Sequence, residues 1–288
     1  MSAARPREAA ADQSVVYVYG VARVPPGEAS APLHLEGIIC DAPVQQLVRD
    51  NLVAFVSTVP ASQFGASELL AAQADAEWLR GRILAHEKIL MALRSSYNVV
   101  PFRFCTIYRN AAQVSDALAR HQAELDEAFD RVGDASEWGV KLYYDPEALR
   151  CQIAVASRPI RQLHETLTGA SPGARFFLQK KYDQALDAEV TASIAMCLEH
   201  SRRRLEAYAR ETVEIEVQSP AEHGRSEAMV DNAAYLVDEA AFSGFKRTLA
   251  ALQAEFATQG FDFELTGPWP AYHFVSSRRE GDPGCSRN

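Results

Sequence analysis

The residues of this sequence best equipped for chemistry are His86, Glu87 and Cys105. A histidine beside an acid can move a proton when a cleft admits substrate and the surroundings tune its pKa. A cysteine within reach of that histidine can act as a nucleophile. His86 and Glu87, however, are neighbours on a segment with helical spacing, and adjacent helical residues do not face one another. Nothing near Cys105 supplies a nucleophile elbow or an oxyanion-hole run of glycines. The simpler expectation is a core histidine satisfied by a hydrogen bond, with Glu87 paired elsewhere. Arg103 lies between Phe102 and Phe104 on a predicted strand, where alternation sends the two rings to one face and Arg103 with Cys105 to the other. If a helix covers that second face, the guanidinium needs a buried acceptor, and Glu87 is the expected partner.

Other chemistries find less support. Gly20 and Gly37 belong to no phosphate-cradling pattern. His164, His200, His223 and His273 are isolated, and the five cysteines include no C-x-x-C pair, so neither a metal nor a cofactor is expected. The net charge of −9 is spread over two mildly acidic halves. The basic cluster Arg202-Arg203-Arg204 is flanked by Glu199 and Glu206 and reads as a solvated helix face, so no nucleic-acid partner is expected. No apolar run is long enough to span a bilayer, and no secretory signal is visible, which makes the cytoplasm the expected compartment.

The elements that must position these residues follow from periodicity. Val15–Ala22 is β-rich and reads as a buried strand ended by Pro25-Pro26-Gly27, with a second short strand at Gly37–Cys40 and a third at Asn51–Val59. A helix from about Ser67 to Tyr97 carries Leu79, Ile83, His86, Leu90, Leu93 and Tyr97 on one stripe. Val99–Ile107 returns as a strand, and one helix is expected from Ala112 to Arg131. After Gly133-Asp134 come a strand at Trp138–Tyr144 and a helix begun by Ser171-Pro172-Gly173 and reaching about Arg210. Strands at Thr212–Val217 and Met229–Val237, a helix at Glu239–Thr258 and a strand at Phe261–Leu265 follow. The expectation is α+β: residues 15–135 as one domain and 136–275 as another, with disordered ends at 1–14 and 276–288.

The closing segment Leu265–Val275 is unusual. Pro268 and Pro270 confine the chain around Trp269 to extended or turn geometry and remove two amide donors. The plain expectation is a strap that packs on its own protein, with both prolines structural. A compatible functional expectation is that Trp269, Tyr272 and Phe274 anchor a partner on a stiffened backbone.

Seven collinear pieces resemble the gas vesicle protein L/F family. They are Tyr17-Val18-Tyr19-Gly20-Val21, the His86-Glu87 helix, Val100–Thr106, Glu137–Lys141, Ser171-Pro172-Gly173, Asn232–Val237 and Thr266–Pro270. The resemblance covers about Val15 to Val275. It implies two α+β domains, the second a modified ferredoxin-like fold with an added C-terminal tail. It also implies a non-enzymatic accessory or minor structural protein, associated with gas vesicles in the cytoplasm. The implied partners are the small hydrophobic shell protein and other gas vesicle accessory proteins. No catalytic residues are carried over. Cys105 stands where the family usually has Gly, and Ala271 where a second Pro is common. The rival readings are a soluble enzyme using His86, Glu87 and Cys105, or a ferredoxin-like RNA-binding module. The second needs exposed aromatics on a basic sheet face, which the acidic balance opposes.

Overall fold

Seven successive buried residues, Val16 to Ala22, make β1 (Ser14–Arg23) the central strand of the first sheet. A computed structural model describes residues 13–24, 33–65, 69 and 75–275. β1 pairs antiparallel with β3 (Leu52–Pro60) on one side, and with β4 (Val99–Pro101) and β5 (Ile107–Tyr108) on the other. β2 (Gln45–Arg49) lies outside β3. Both faces are covered, which is why Val16–Ala22 of β1 and Leu52–Val56 of β3 are apolar without a break instead of alternating. Tyr17, Tyr19, Val53 and Phe55 meet Ile89, Leu90 and Leu93 of helix α1 (Ala76–Arg94). Val16, Val18, Ala54 and Val56 meet α2 (Ala111–Arg120) and α3 (Gln122–Val132) on the opposite face.

A bulge shifts the β1–β3 register between Val18 and Gly20. At Gly20 a Cβ would come within 2.8 Å of the Val100 carbonyl, so the approach of β4 needs glycine there.

In the second sheet β6 (Ser136–Tyr144) lies between β8 (Ala228–Val237) and β9 (Phe261–Trp269), with β7 (Ala209–Glu214) outside β8. All neighbours are antiparallel. Helices α4 (Pro146–Ala156), α5 (Arg158–Thr168) and α6 (Pro172–Glu206) connect β6 to β7, and α7 (Glu239–Phe256) connects β8 to β9. We read the element order β-α-β-β-α-β and the spatial order β7-β8-β6-β9 as a split β-α-β, ferredoxin-like arrangement. Leu149, Leu186, Cys197, Leu205, Phe245 and Leu252 pack on Val140, Leu142, Tyr235 and Val237 to form its core. Arg202 holds Asp231 with two donors, at 3.1 and 2.5 Å, and Arg204 holds Glu255 at 2.9 Å. Two members of the basic cluster are therefore bound to this unit's own carboxylates and do not form a simple solvated face.

The described residues divide into two compact units, one formed by those up to 133 together with 270–275, the other by 134–269. Residues 270–275, expected with the second domain, thus belong to the first. Among the described residues no helix is long and apolar enough to cross a membrane.

Several expected elements differ. Ser14 opens β1 and Gln13 accepts the Ala61 N–H, so the expected disordered start does not reach these residues; positions 1–12 lie outside the described residues, as do Pro25-Pro26-Gly27 and 276–288. Gly37–Cys40 is not a strand: Ile38 N–H donates to Tyr19 Oη at 2.8 Å, the Ile38 carbonyl accepts from Arg82 Nη1 at 2.6 Å, and the Ile39 carbonyl accepts the Ala42 N–H in a turn. The helix expected from Ser67 has an N-cap at Asp75, whose carboxylate accepts from Glu77 and Trp78 N–H, and most of residues 66–74 lie outside the description. The expected helix Ala112–Arg131 breaks at His121 into α2 and α3. Helices α4 and α5 were not foreseen, although Asp145-Pro146 and Ser157 with Pro159 start them. The last strand continues through Thr266, Gly267 and Pro268 to Trp269.

Candidate functional site

His86 projects from α1 into the first unit's core and is fully buried. The rings of Tyr17, Tyr19 and Phe104 surround it at 5.7, 5.8 and 5.8 Å between centroids. Its Nδ1 lies 2.9 Å from Tyr17 Oη, and that hydroxyl also accepts the Cys105 N–H at 3.1 Å. With a neutral imidazole protonated on Nε2, the tyrosine donates to Nδ1. Burial lowers the His86 pKa to about 4, and the Phe102 backbone, which favours the charged form, offsets this only in part. A second chain runs beside it: Tyr19 Oη donates to Ser57 Oγ at 2.8 Å, and Ser57 Oγ donates to the Ala42 carbonyl at 2.9 Å. These bonds satisfy polar groups that would be costly to bury alone.

Cys105 is half-buried, with φ of 63° in the left-handed region. Residues 102–106 leave the ladder as a turn: Phe102 N–H donates to the Tyr19 carbonyl and Val18 N–H to the Thr106 carbonyl, at 2.8 and 2.9 Å. The predicted strand Val99–Ile107 is therefore two short strands around this turn. Arg103 is exposed on it and carries no buried charge, so the expected pairing with Glu87 loses its physical basis. Glu87 instead accepts from Tyr272 Oη at 2.9 Å.

The closing segment divides. Trp269 ends β9, is 41% exposed and donates from Nε1 to Thr266 Oγ1 at 3.1 Å. Pro268 lies in β9, while Pro270 and Ala271 are buried in the first unit. Phe274 is buried there too, and its carbonyl accepts from Arg131 Nη1 at 3.2 Å. Phe274 is a core residue and is not presented to a partner. Tyr272 is half-buried with its hydroxyl engaged, which leaves Trp269 as the exposed ring of the three expected anchors.

An open cleft of about 460 Å³ in the first unit is lined by Val100, Phe102, Arg103, Tyr272 and His273, among others. His86, Glu87 and Cys105 do not line it. Burial also pushes the Cys105 thiol up to about 11, away from the thiolate that nucleophilic attack requires. His86 and the Cys105 N–H meet at the Tyr17 hydroxyl, whereas Glu87 bonds Tyr272, so the structure does not assemble the three side chains as a catalytic set. Among the described residues no group of three His, Cys, Asp or Glu is placed to hold a metal ion.

The surface points elsewhere. Phe176 and Phe177, near the start of α6, are each 73% exposed and lie edge to face at 5.7 Å. Farther along the same helix, Met196 with Ile153, Ala156 and Ala192 lines an open groove of about 560 Å³, and Val155 nearby is exposed. Exposed apolar surface of this kind marks an interaction site more often than isolated residues do. The sequence reading singled out neither feature; adjacent phenylalanines in a helix with one core stripe were the available signal.

A family model described as "Gas vesicle synthesis protein GvpL/GvpF" matches residues 15–276. Gas vesicle protein L of Streptomyces sp. is 28% identical over 270 residues, covering 92% of this chain and 94% of that protein. Gas vesicle protein F of Dolichospermum flosaquae is 22% identical, covering 84% and 89%. The fold resembles the crystal structure of gas vesicle protein GvpF from Anabaena sp. PCC7120, with a TM-score of 0.70 at 19% identity, over 92% of this chain and 100% of that one.

Proposed function

The chain belongs to the gas vesicle synthesis protein GvpL/GvpF family, and from that premise we propose that it is a non-enzymatic accessory or minor structural protein that binds the small hydrophobic shell subunit and assists nucleation or assembly of gas vesicles in the cytoplasm. A gas vesicle role follows from the family itself; the partner and the step are our reading. A subunit that will wall off gas must expose apolar surface before it assembles, and such surface aggregates. An acidic protein with exposed apolar side chains can cover that surface while keeping the pair dispersed by its net charge.

The observation that carries this reading is the pair Phe176 and Phe177, held out on α6 of a chain with net charge −9. The burial of His86 and the raised thiol of Cys105 support a structural role for the groups that most resembled a catalytic set. Co-expression of the full chain with the shell subunit, followed by co-purification at low and high salt, tests the proposal. Retention that persists at high salt is expected for an apolar contact; absence of the shell subunit, or its complete release by salt, would refute it.

A further inference from the structure

Resting on that reading, we propose that the docking surface is the projecting start of α6, Arg175 to Lys181, and that it takes a protein segment whose apolar residues are bordered by carboxylates. No residue of α6 before Leu186 is fully buried, and Tyr182 is the first to pack against the unit's core, so roughly 15 Å of helix at 1.5 Å per residue precedes that contact. Leu178 and Tyr182 are partly covered, and Tyr182 lies 5.7 Å from the His164 ring of α5, which fixes one side of this stretch. Phe176 and Phe177 point away from that support.

The charge beside the rings selects the partner. Ser171 to Tyr182 holds three basic side chains, Arg175, Lys180 and Lys181, and no acidic one, within a chain of net charge −9. Residues four apart share a helix face, so Lys180 borders Phe176 and Lys181 borders Phe177. Each ring therefore has an ammonium one turn along. The matching surface has apolar side chains to receive the rings and carboxylates to meet the lysines, since complementary charge sets orientation while buried aromatics supply affinity. An anionic membrane would also attract this stretch, but the rest of the molecule is acidic and would be repelled from it.

The test uses the full chain co-expressed with the shell subunit, in four versions: unaltered, Phe176→Ser with Phe177→Ser, Lys180→Glu with Lys181→Glu, and Lys180→Arg with Lys181→Arg. Recovery of the shell subunit is expected to fall about tenfold or more without the rings. The charge-reversed pair should lose several-fold, and the arginine pair should match the unaltered chain. All four should melt at the same temperature, because the altered side chains are exposed. Undiminished recovery with the serine and glutamate pairs overturns the proposed surface while leaving shell binding in place. Loss of melting temperature in the serine pair shifts the decision to the glutamate pair, where normal recovery overturns the proposal. Failure of the unaltered chain to retain the shell subunit refutes the underlying function, and this surface with it. Flotation with phosphatidylserine vesicles completes the test: ring-dependent flotation beside ring-independent shell recovery would assign the rings to lipid and overturn the proposal.

Discussion

Tyr272 donates from its hydroxyl to Glu87 Oε1 at 2.9 Å, across 185 positions of sequence. The bond fastens the short turn Tyr272–Val275 to α1 and makes Glu87 an acceptor within the fold. A hydrogen bond to a charged group contributes about 1.5–3 kcal/mol when shielded. Partial exposure of Tyr272 puts this one at the lower end. Tyr272→Phe is expected to lower the stability of the first unit by about 1–2 kcal/mol in chemical denaturation. No measurable change would show that the bond is exchanged freely for water.

The depressed pKa of His86 makes a second prediction. The folded group titrates at about 4, whereas the unfolded one titrates near 6.5. Above about pH 6.5 neither state carries the proton, and His86 adds no pH dependence. As pH falls from about 6.5 toward 4, the unfolded chain binds a proton that the folded chain refuses, so stability is lost. The loss from this one group is on the order of 2 kcal/mol by pH 5. His86→Gln should be less stable than the wild type at pH 7, yet show a shallower decline between pH 7 and 5 by about that amount. Parallel declines in urea titrations would contradict the assignment.

Cys105 adopts a left-handed conformation, which costs a residue with a Cβ on the order of 1–2 kcal/mol. Glycine avoids that cost but loses chain entropy and the packing of the thiol. Cys105→Gly should therefore stay within about 1 kcal/mol of the wild type, whereas Cys105→Val, branched at Cβ, should lose about 2 kcal/mol or more. Equal stability of the two variants would mean that the turn relaxes on substitution. Alkylation offers a companion measurement: Cys40 and Cys151 are exposed and should react in the folded chain, while Cys105 and Cys197, pushed up by burial to about 11 and about 12, should wait for unfolding.

Gly267 has φ of 114°, and a Cβ there would come within 2.9 Å of the Glu137 carbonyl. It follows Thr266 in β9, where the β6–β9 register shifts between Glu137 and Gly139. Gly267→Ala is expected to destabilise the second unit by about 2 kcal/mol or more, because both the backbone and its neighbour resist the new atom. A thermal melt within a degree of wild type would show that the strand end can shift.

Much of this architecture was legible because burial on both faces leaves a plain mark. The apolar runs of β1, β3 and β8 identify themselves, and Ser171-Pro172 marks the start of α6. Other features depend on context that periodicity does not carry. Val99–Ile107 keeps a strand-like composition through the turn at Arg103 and Cys105, and a cysteine does not announce positive φ as glycine would. The family resemblance did mark that position, through the glycine usual there. The hairpin strand β2 and the helices α4 and α5 were missed, although Asp145-Pro146 and Ser157 with Pro159 carry starting signals. Phe274 looked like a docking ring and is buried, whereas Phe176 and Phe177, to which the periodicity assigned no role, are exposed. Which aromatic lands outside depends on what packs against it, and that is a tertiary fact.

The first unit takes its final turn from residues 270–275, after the whole of 134–269. A ribosome delivers a chain from its N-terminus, so β1, α1 and their partners emerge long before the segment that supplies Phe274 and the Tyr272 bond. The contiguous second unit can close as soon as β9 is free, while the earlier-made unit must wait for residues 270–275. During synthesis the two units therefore mature out of order: 134–269 can be complete before the unit that precedes it.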